Sequence, residues 1–182
     1  MNEKEKKKIS KFLSLVLRHK PETIAIELDE NGWTDVEALI AKSRDYGVKY
    51  DLQILKEVVE TNDKKRFAFD DQLKRIRASQ GHSLNIDLGY QAQKPPEFLF
   101  HGTAMKNVES IQESGLEKRS RQHVHLSIDL ETAIKVGQRH GKPFVFKVKA
   151  KEMSEDKIAF YISENGVWLT DHVPSKYLLI NE

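Results

Sequence analysis

Two adjacent prolines, Pro95 and Pro96, divide this 182-residue chain into halves with different residue patterns. Proline has a fixed φ and no N–H, so a pair of prolines interrupts both helices and sheet ladders. Residues 91–96 are therefore predicted to form a linker. Apolar residues before the linker recur at helical spacing, whereas those after it form short runs typical of strands. We predict an α+β protein with two domains, residues 1–92 and 93–182.

Three helices followed by a hairpin are predicted before the linker. The first helix has one apolar face, formed by Ile9, Phe12, Leu13, Val16 and Leu17. Pro21 ends this helix. A Thr-x-x-Glu capping box that starts at Thr34 opens the second helix, and Asp51 caps the third. Two short runs, residues 66–69 and 73–77, flank a pair of aspartates and predict the hairpin.

Short strands and two helices are predicted after the linker. The strands are residues 98–100, 124–127, 144–148, 158–162, 167–170 and 177–180. One helix runs from about Ala104 to Ser114, with Gly115 at its C-terminal end. The other helix is capped by Asp129 and reaches about Gly137.

Composition excludes several classes of function. The 30 basic and 28 acidic residues nearly balance, so any nucleic-acid site must be a local basic cluster. Cysteine is absent, which excludes disulfides, thiolate metal sites and a cysteine nucleophile. No apolar run approaches the roughly 18 to 20 residues that span a bilayer. The charged N-terminus does not resemble a signal peptide, so we expect a cytoplasmic protein without membrane contact.

Arg18 and His19 lie at the predicted end of the first helix. A guanidinium binds phosphate through paired hydrogen bonds, and an imidazole exchanges a proton near neutral pH. A basic residue at a helix C-terminus is also a common partner of the helix dipole, so the pair alone fits both interpretations.

The predicted hairpin is rich in basic residues: Lys64, Lys65, Arg66, Lys74, Arg75 and Arg77. The sequence Gln-Gly-His-Ser follows at residues 80–83. These cations can form a surface for a phosphate backbone, or they can be a solvated hairpin. Aromatic residues do not alternate with them, so base stacking is not indicated.

His101, Gly102 and Thr103 directly follow a predicted strand. The glycine would let a ligand approach the backbone, whose N–H can bind a carboxamide. The histidine and threonine side chains can reach ribose or phosphate oxygens. A tripeptide of this kind is common, so it is only a candidate site.

Arg121, His123 and His125 would share one face of a strand if the strand begins early enough. Such a row can meet an anionic ligand or form a solvated edge. A zinc site is not supported, because no third ligand has suitable spacing. Residues 137–141 are predicted to be a helix end and turn. The Rossmann, P-loop and serine-elbow motifs are all absent from the sequence.

Seven ordered motifs together carry a family resemblance: LSLVLRH, KRFAF, IRASQGHS, FLFHGT, RQHVHLS, VGQRHG and NGVWLT-x-x-VP. In this order, from about Phe12 to Ile180, the chain closely resembles the RNA 2′-phosphotransferase family. The resemblance implies an N-terminal winged-helix lobe and a C-terminal lobe of the ADP-ribosyltransferase fold.

The resemblance also implies a reaction. An internal RNA 2′-phosphate attacks the nicotinamide ribose of NAD, which is consumed, and nicotinamide leaves. A ribose hydroxyl then attacks the phosphate, giving RNA with a free 2′-hydroxyl and ADP-ribose cyclic phosphate. The expected partner is a tRNA-like RNA carrying a 2′-phosphate, no metal is expected, and we expect a monomer.

Site residues follow from matching the motifs. The family's catalytic positions match Arg18, His19, Arg66 and Arg121, and its NAD-binding positions match His101, Gly102, Thr103, His125 and Ser127. Three guanidiniums would hold a phosphate dianion against NAD. His19 is expected to contact the phosphate and to manage a proton. Val167 or a neighbour stands where many ADP-ribosyltransferases have a catalytic glutamate, with Glu164 nearby.

Two rival functions remain open at this point. The first is a transferase of the same fold that modifies protein side chains or caps phosphate ends of nucleic acids. The second is a winged-helix protein that binds nucleic acid without catalysis.

Overall fold

The chain forms two compact units, residues 1–89 and 90–182. The structure is a computed structural model, and it describes residues 2–62 and 64–180. Each unit has its own apolar core and contains both helices and strands, which confirms the α+β class. Within the described residues, no helix is long and apolar enough to cross a membrane.

The first unit packs three helices against a small antiparallel sheet of order β1-β3-β2. Its elements are α1 (Glu3–Arg18), β1 (Thr34–Asp35), α2 (Val36–Asp45), α3 (Leu52–Glu60), β2 (Phe67–Phe69) and β3 (Arg75–Ala78). The predicted apolar face of α1 is buried, and Leu13, Val16 and Leu17 are fully inaccessible to solvent. Because α1 supplies so much of the core, its last residues have a fixed position.

The cap of α2 differs from the predicted capping box. The Asp35 carboxylate, not Thr34, accepts the hydrogen bond from the Ala38 N–H at 2.8 Å. Thr34 is instead buried in β1, opposite Ile76 of β3. The capping interpretation was wrong by one residue because sheet pairing holds Thr34 in extended backbone. The predicted cap of α3 is confirmed, since Asp51 accepts from the Ile54 N–H at 2.8 Å.

The hairpin of β2 and β3 confirms the prediction, although β3 begins only at Arg75. Its turn is organised by the Asp70 carboxylate, which accepts from the backbone N–H groups of Lys74 and Arg75 at 2.8 and 3.0 Å. The guanidiniums of Arg75 and Arg77 lie over the Trp33 ring, 5.4 and 4.5 Å from its centroid. Arg75 and Arg77 are therefore engaged within the unit.

The second unit consists of short strands in three small sheets, of order β11-β7-β4, β6-β9-β8 and β10-β5. Its strands are β4 (Leu99–Ala104), β5 (Leu116–Glu117), β6 (Val124–Leu126), β7 (Pro143–Val148), β8 (Tyr161–Ile162), β9 (Trp168–Thr170), β10 (His172–Val173) and β11 (Leu178–Ile180). Its helices are α4 (Val108–Ser114), α5 (Leu130–Gly137) and α6 (Ala150–Glu155). The sequence patterns did not predict α6, β5 or β10, the last two of which are only two residues long.

Helix α5 packs directly on β4 through Gly102. A Cβ atom at Gly102 would overlap the carbonyl oxygen of Ala133 in α5. Helix α5 therefore fills the space beside Gly102. The expectation that Gly102 lets a ligand approach the backbone was wrong for this side of the strand. Because side chains alternate along a strand, His101 and Thr103 point away from α5.

We predict that Gly102→Ala strongly destabilises the second unit, because neither the strand nor the helix backbone can move without breaking pairing. The expected loss is about 3 kcal/mol or more in the free energy of unfolding measured in urea. Gly166→Ala is the matched control, since its new Cβ meets no atom within 4 Å and only a φ of +77° opposes it. The control is expected to cost about 1–2 kcal/mol. Equal losses in the two variants would contradict the packing role of Gly102.

Candidate functional site

In the first unit, the end of α1 is connected to the start of the hairpin. Arg18 is the last residue of α1, and its Nη2 donates to the Arg66 carbonyl oxygen at 3.2 Å. Its guanidinium also lies 5.8 Å from the centroid of the Phe67 ring. Both contacts place the half-buried Arg18 side chain against the first residues of β2.

The Arg66 side chain is oriented by the loop that follows α3. Its Nη1 donates to Oδ1 of Asn62 at 3.4 Å, and the same oxygen accepts from the Lys64 N–H at 3.2 Å. The Asn62 amide donates in turn to the Ser10 hydroxyl of α1 at 3.1 Å. Asn62 therefore links Arg66 to the helix that carries Arg18.

His19 lies just beyond α1 and is held by the segment that follows the hairpin. Its Nδ1 is 3.0 Å from the Ser83 hydroxyl, and the Ser83 N–H donates to the Arg18 carbonyl oxygen at 3.0 Å. The imidazole is exposed and can still reach a ligand. The structure thus brings Arg18, His19 and Arg66 together within one unit, from two separate segments of sequence.

His82, which the sequence patterns placed only in a basic tail, is 1% exposed. Burial, together with the smaller effect of the nearby charges of Arg18, His19 and Arg77, lowers the pKa of its imidazole to about 4. Among the described residues, neither of its ring nitrogens has a hydrogen-bond partner. His82 is therefore a neutral buried side chain beside the cationic cluster, and it adds no positive charge.

In the second unit, two histidines are locked as different neutral tautomers. The His101 Nδ1 lies 3.1 Å from the His125 carbonyl oxygen, which can only accept, so this nitrogen carries the proton. Arg121 Nη1 lies 2.6 Å from the His125 Nδ1, and arginine can only donate, so this nitrogen is the acceptor. Burial also lowers the pKa of His101, and the charge of Arg121 adds to this effect.

The predicted row of three side chains on one strand was wrong. β6 begins only at Val124. Arg121 lies before it in a turn, where the Arg121 N–H donates to the Lys118 carbonyl oxygen. Arg121 reaches His125 by the length of its side chain. His123 belongs to a separate aromatic group, with ring centroids 6.2 Å from Tyr90 and 5.7 Å from Tyr161.

A further arginine adds to this cluster. The positive charge of Arg139 lowers the pKa of Arg121, second to the effect of burial, so the two guanidiniums lie within electrostatic reach of each other. Arg139 is exposed, in the 3₁₀ turn Gln138–His140 that follows α5. The prediction of a helix end and turn here was correct but gave this arginine no role. Two neighbouring guanidiniums favour an anionic ligand.

The remaining candidate positions flank this cluster. Thr103 is buried, and its hydroxyl accepts from the Asn107 amide at 3.1 Å. Ser127 pairs with Phe100 through two backbone hydrogen bonds, which fixes the end of β6 beside β4. Among the described side chains, no three His, Asp or Glu residues are arranged to hold a metal ion.

Comparisons with known proteins match nearly the whole chain. Residues 4–172 match the family model described as RNA 2′-phosphotransferase, Tpt1 / KptA family. A protein of Flavobacterium johnsoniae named probable RNA 2′-phosphotransferase is 56% identical over 178 residues, which are 98% of each chain. Proteins with the same name from Hahella chejuensis and Fusobacterium nucleatum are 52% and 48% identical over 176 and 172 residues. These matches cover 97% and 94% of this chain, and 95% and 96% of the relatives.

The matched region includes both units and all the clusters described above. The fold and the arginine-rich sites therefore belong to a transferase. The chain is a member of the RNA 2′-phosphotransferase family, which confirms the resemblance drawn from the seven motifs.

The buried imidazole of His82 predicts a pH-dependent stability. The unfolded chain has a histidine pKa near 6.5 and the folded chain one of about 4, so the unfolded state binds more protons between these values. The free energy of unfolding is expected to fall by about 3 kcal/mol through this group as the pH falls from 6.5 to 4. His82→Gln should lose that part of the pH dependence in urea unfolding measured from pH 4 to pH 7.

The pKa of His82 can also be measured directly in the wild-type protein, without any substitution. The His82 ring resonances in NMR should titrate well below pH 5.5 in the wild-type protein. A midpoint near 6.5 would contradict the burial argument.

Proposed function

We propose that this protein removes an internal 2′-phosphate from RNA and consumes NAD as a co-substrate. The printed names of the relatives support RNA as the substrate. The observation that most supports the chemistry is the contact set of Arg18, His19 and Arg66, which gathers two guanidiniums and an imidazole around the end of α1. We also propose that the first unit is a winged-helix lobe and the second an ADP-ribosyltransferase lobe, in a monomeric cytoplasmic protein.

The first unit would bind the phosphate. A dianionic 2′-phosphate has three terminal oxygens, and Arg18 and Arg66 would supply donors to it. Their side chains are positioned by Phe67, Asn62 and neighbouring backbone, so little reorganisation is needed on binding. His82 stays neutral beside them and does not compete for the phosphate.

The second unit would bind NAD. With its Nδ1 proton committed to the His125 carbonyl, His101 presents its Nε2 lone pair as an acceptor suited to a ribose hydroxyl. Arg121 and Arg139 would face the negative charges of the dinucleotide and the incoming phosphate. The Gly102 N–H, Thr103 and Ser127 remain the candidate contacts for the nicotinamide end.

Transfer of the phosphate from RNA to ADP-ribose would proceed in two steps. A 2′-phosphate oxygen forms a bond to the anomeric carbon of the nicotinamide ribose, the bond from that carbon to the ring nitrogen breaks, and nicotinamide leaves as a neutral molecule. A ribose hydroxyl then attacks phosphorus, and the bond from phosphorus to the RNA 2′-oxygen breaks. That hydroxyl loses one proton and the RNA 2′-oxygen gains one, so the exposed His19 would accept and return a proton.

The first step would need no general base. The attacking phosphate already carries negative charge, so a glutamate would not be needed at the position that Val167 or a neighbour would occupy, where many ADP-ribosyltransferases have one. Glu164 lies in the turn after β8 and is exposed, and the Val167 N–H donates to the Ser163 hydroxyl at 3.0 Å. These positions shape the turn between β8 and β9.

The proposal is tested by incubating the protein with NAD and a synthetic RNA that carries one internal 2′-phosphate. The expected products are nicotinamide, RNA with a free 2′-hydroxyl and an ADP-ribose cyclic phosphate, all resolved by mass spectrometry. Stable ADP-ribosylated RNA or protein would favour the rival transferase. RNA binding with no release of nicotinamide would favour the non-catalytic rival.

Substitution of the guanidiniums is expected to abolish turnover. Arg121→Ala should lower kcat by at least 100-fold, the effect of losing one donor to a developing charge. Arg119→Ala is the matched control, because Arg119 lies two residues away, is exposed and has no proposed role, and it should retain near wild-type turnover. Arg18→Lys should also lose at least 100-fold, since lysine keeps the charge but not the paired donors. A loss of only a few-fold in both catalytic variants, in protein that remains folded, would overturn these roles.

A further inference from the structure

A groove of about 670 Å³ lies along α1 in the first unit, and Arg66 is one of the residues that line it. Its lining residues are Glu3, Lys6, Lys7, Ser10, Lys11, Ser14, Val58, Thr61, Asn62, Lys64 and Arg66. Those from α1 follow one another at alternating intervals of three and one residues, so they form one face of the helix. We call this surface the α1 groove. The sequence patterns gave the lysine-rich start of the chain no role.

The charge of the α1 groove is strongly positive. Lys6 is matched by Glu3 and Glu57, with Nζ to carboxylate distances of 3.3 and 2.8 Å. Lys7 and Lys11 are exposed, and neither has an acidic partner among the described residues. They line the groove together with Lys64 and Arg66, and Arg66 also belongs to the candidate site.

The polar lining is also suited to a sugar–phosphate backbone. Hydroxyl groups of Ser10, Ser14 and Thr61 lie along the groove, and Val58 is its only apolar residue among those described. Hydroxyls can accept a hydrogen bond from a ribose 2′-hydroxyl, which distinguishes RNA from DNA. The described lining contains no aromatic side chain, so bases would not be read by stacking.

The length of the groove sets how much of a strand it can hold. Along α1, Lys11 lies about 10 Å and Lys7 about 16 Å from Arg18 at a rise of 1.5 Å per residue. This length exceeds the distance between successive phosphates of a strand, so the groove can hold more than one nucleotide. A strand of this length is longer than the reacting nucleotide alone.

We propose that the α1 groove binds the phosphate backbone of the RNA strand that flanks the 2′-phosphorylated nucleotide, independently of base sequence. This inference rests on the proposed function for its choice of RNA. Lys7 and Lys11 contact successive backbone phosphates and hold the strand, while Arg66 belongs both to the groove and to the candidate site.

The test is RNA binding by the full chain, with a fluorescently labelled 12-nucleotide single-stranded RNA that lacks any 2′-phosphate. The double variant Lys7→Gln/Lys11→Gln is compared with Lys4→Gln/Lys8→Gln, which removes two exposed lysines of α1 at the same spacing that do not line the groove. Loss of two phosphate contacts should weaken binding about 25-fold at 0.1 M salt and reduce the salt slope by about 1.4. The control variant should stay within about threefold of the wild type.

Each outcome of this comparison is decisive. A selective loss in the Lys7/Lys11 variant supports the groove, whereas equal losses in the two variants, or no loss, overturn it. Poly-glutamate that competes as well as RNA at equal charge would identify an acidic peptide as the partner and also overturn the proposal. Because the probe carries no 2′-phosphate and needs no NAD, a failure of the proposed reaction appears only in the nicotinamide assay and is distinguished from a failure of the groove.

Discussion

The end of α1 is the point on which the candidate site of the first unit depends. Arg18 donates to a carbonyl 48 residues away, and the Ser83 N–H returns a hydrogen bond to the Arg18 carbonyl from 65 residues away. Neither partner belongs to the helix itself, so the position of Arg18 is set by tertiary structure and not by helix propensity. Since α1 also fills the core with Leu13 and Leu17, any shift of its last turn would disturb packing and site geometry together.

Both units place neutral histidines beside arginines, and electrostatics explains the arrangement. Burial raises the free energy of a protonated imidazole, and a neighbouring cation raises it further, so the pKa values of His82 and His101 are lowered and both remain neutral. Neutral imidazoles fill space and accept hydrogen bonds without adding to the repulsion between guanidiniums. The positive charge is thereby kept on the side chains that are oriented by Asn62 and His125, whose acceptor atoms hold Arg66 and Arg121.

The sequence predicted what is local and missed what depends on distant contacts. Apolar spacing located α1, and side-chain chemistry located the Asp51 cap and the hairpin, because each depends on neighbours in the chain. Thr34 was assigned to the wrong role because its pairing partner in β3 lies 42 positions later. Arg121 and Arg139 interact electrostatically because of the turns in which they lie, and the spacing of residues in the sequence does not predict this. The burial of His82 was equally impossible to predict, since the sequence Gln-Gly-His-Ser is typical of a polar loop.

The proposed reaction also explains why the site is built from guanidiniums and not from a general base. A phosphate dianion is already a nucleophile, and its main obstacle is electrostatic, because it must approach a dinucleotide that is itself negatively charged. Fixed arginines lower that repulsion and stabilise charge as it moves between oxygens, whereas a carboxylate would increase it. An RNA strand brings the same repulsion over a longer distance. Lys7 and Lys11 of the α1 groove would lower this repulsion before the reacting phosphate reaches Arg66. The lysines of α1 would thus act on the RNA strand as the arginines of the site act on the reacting phosphate.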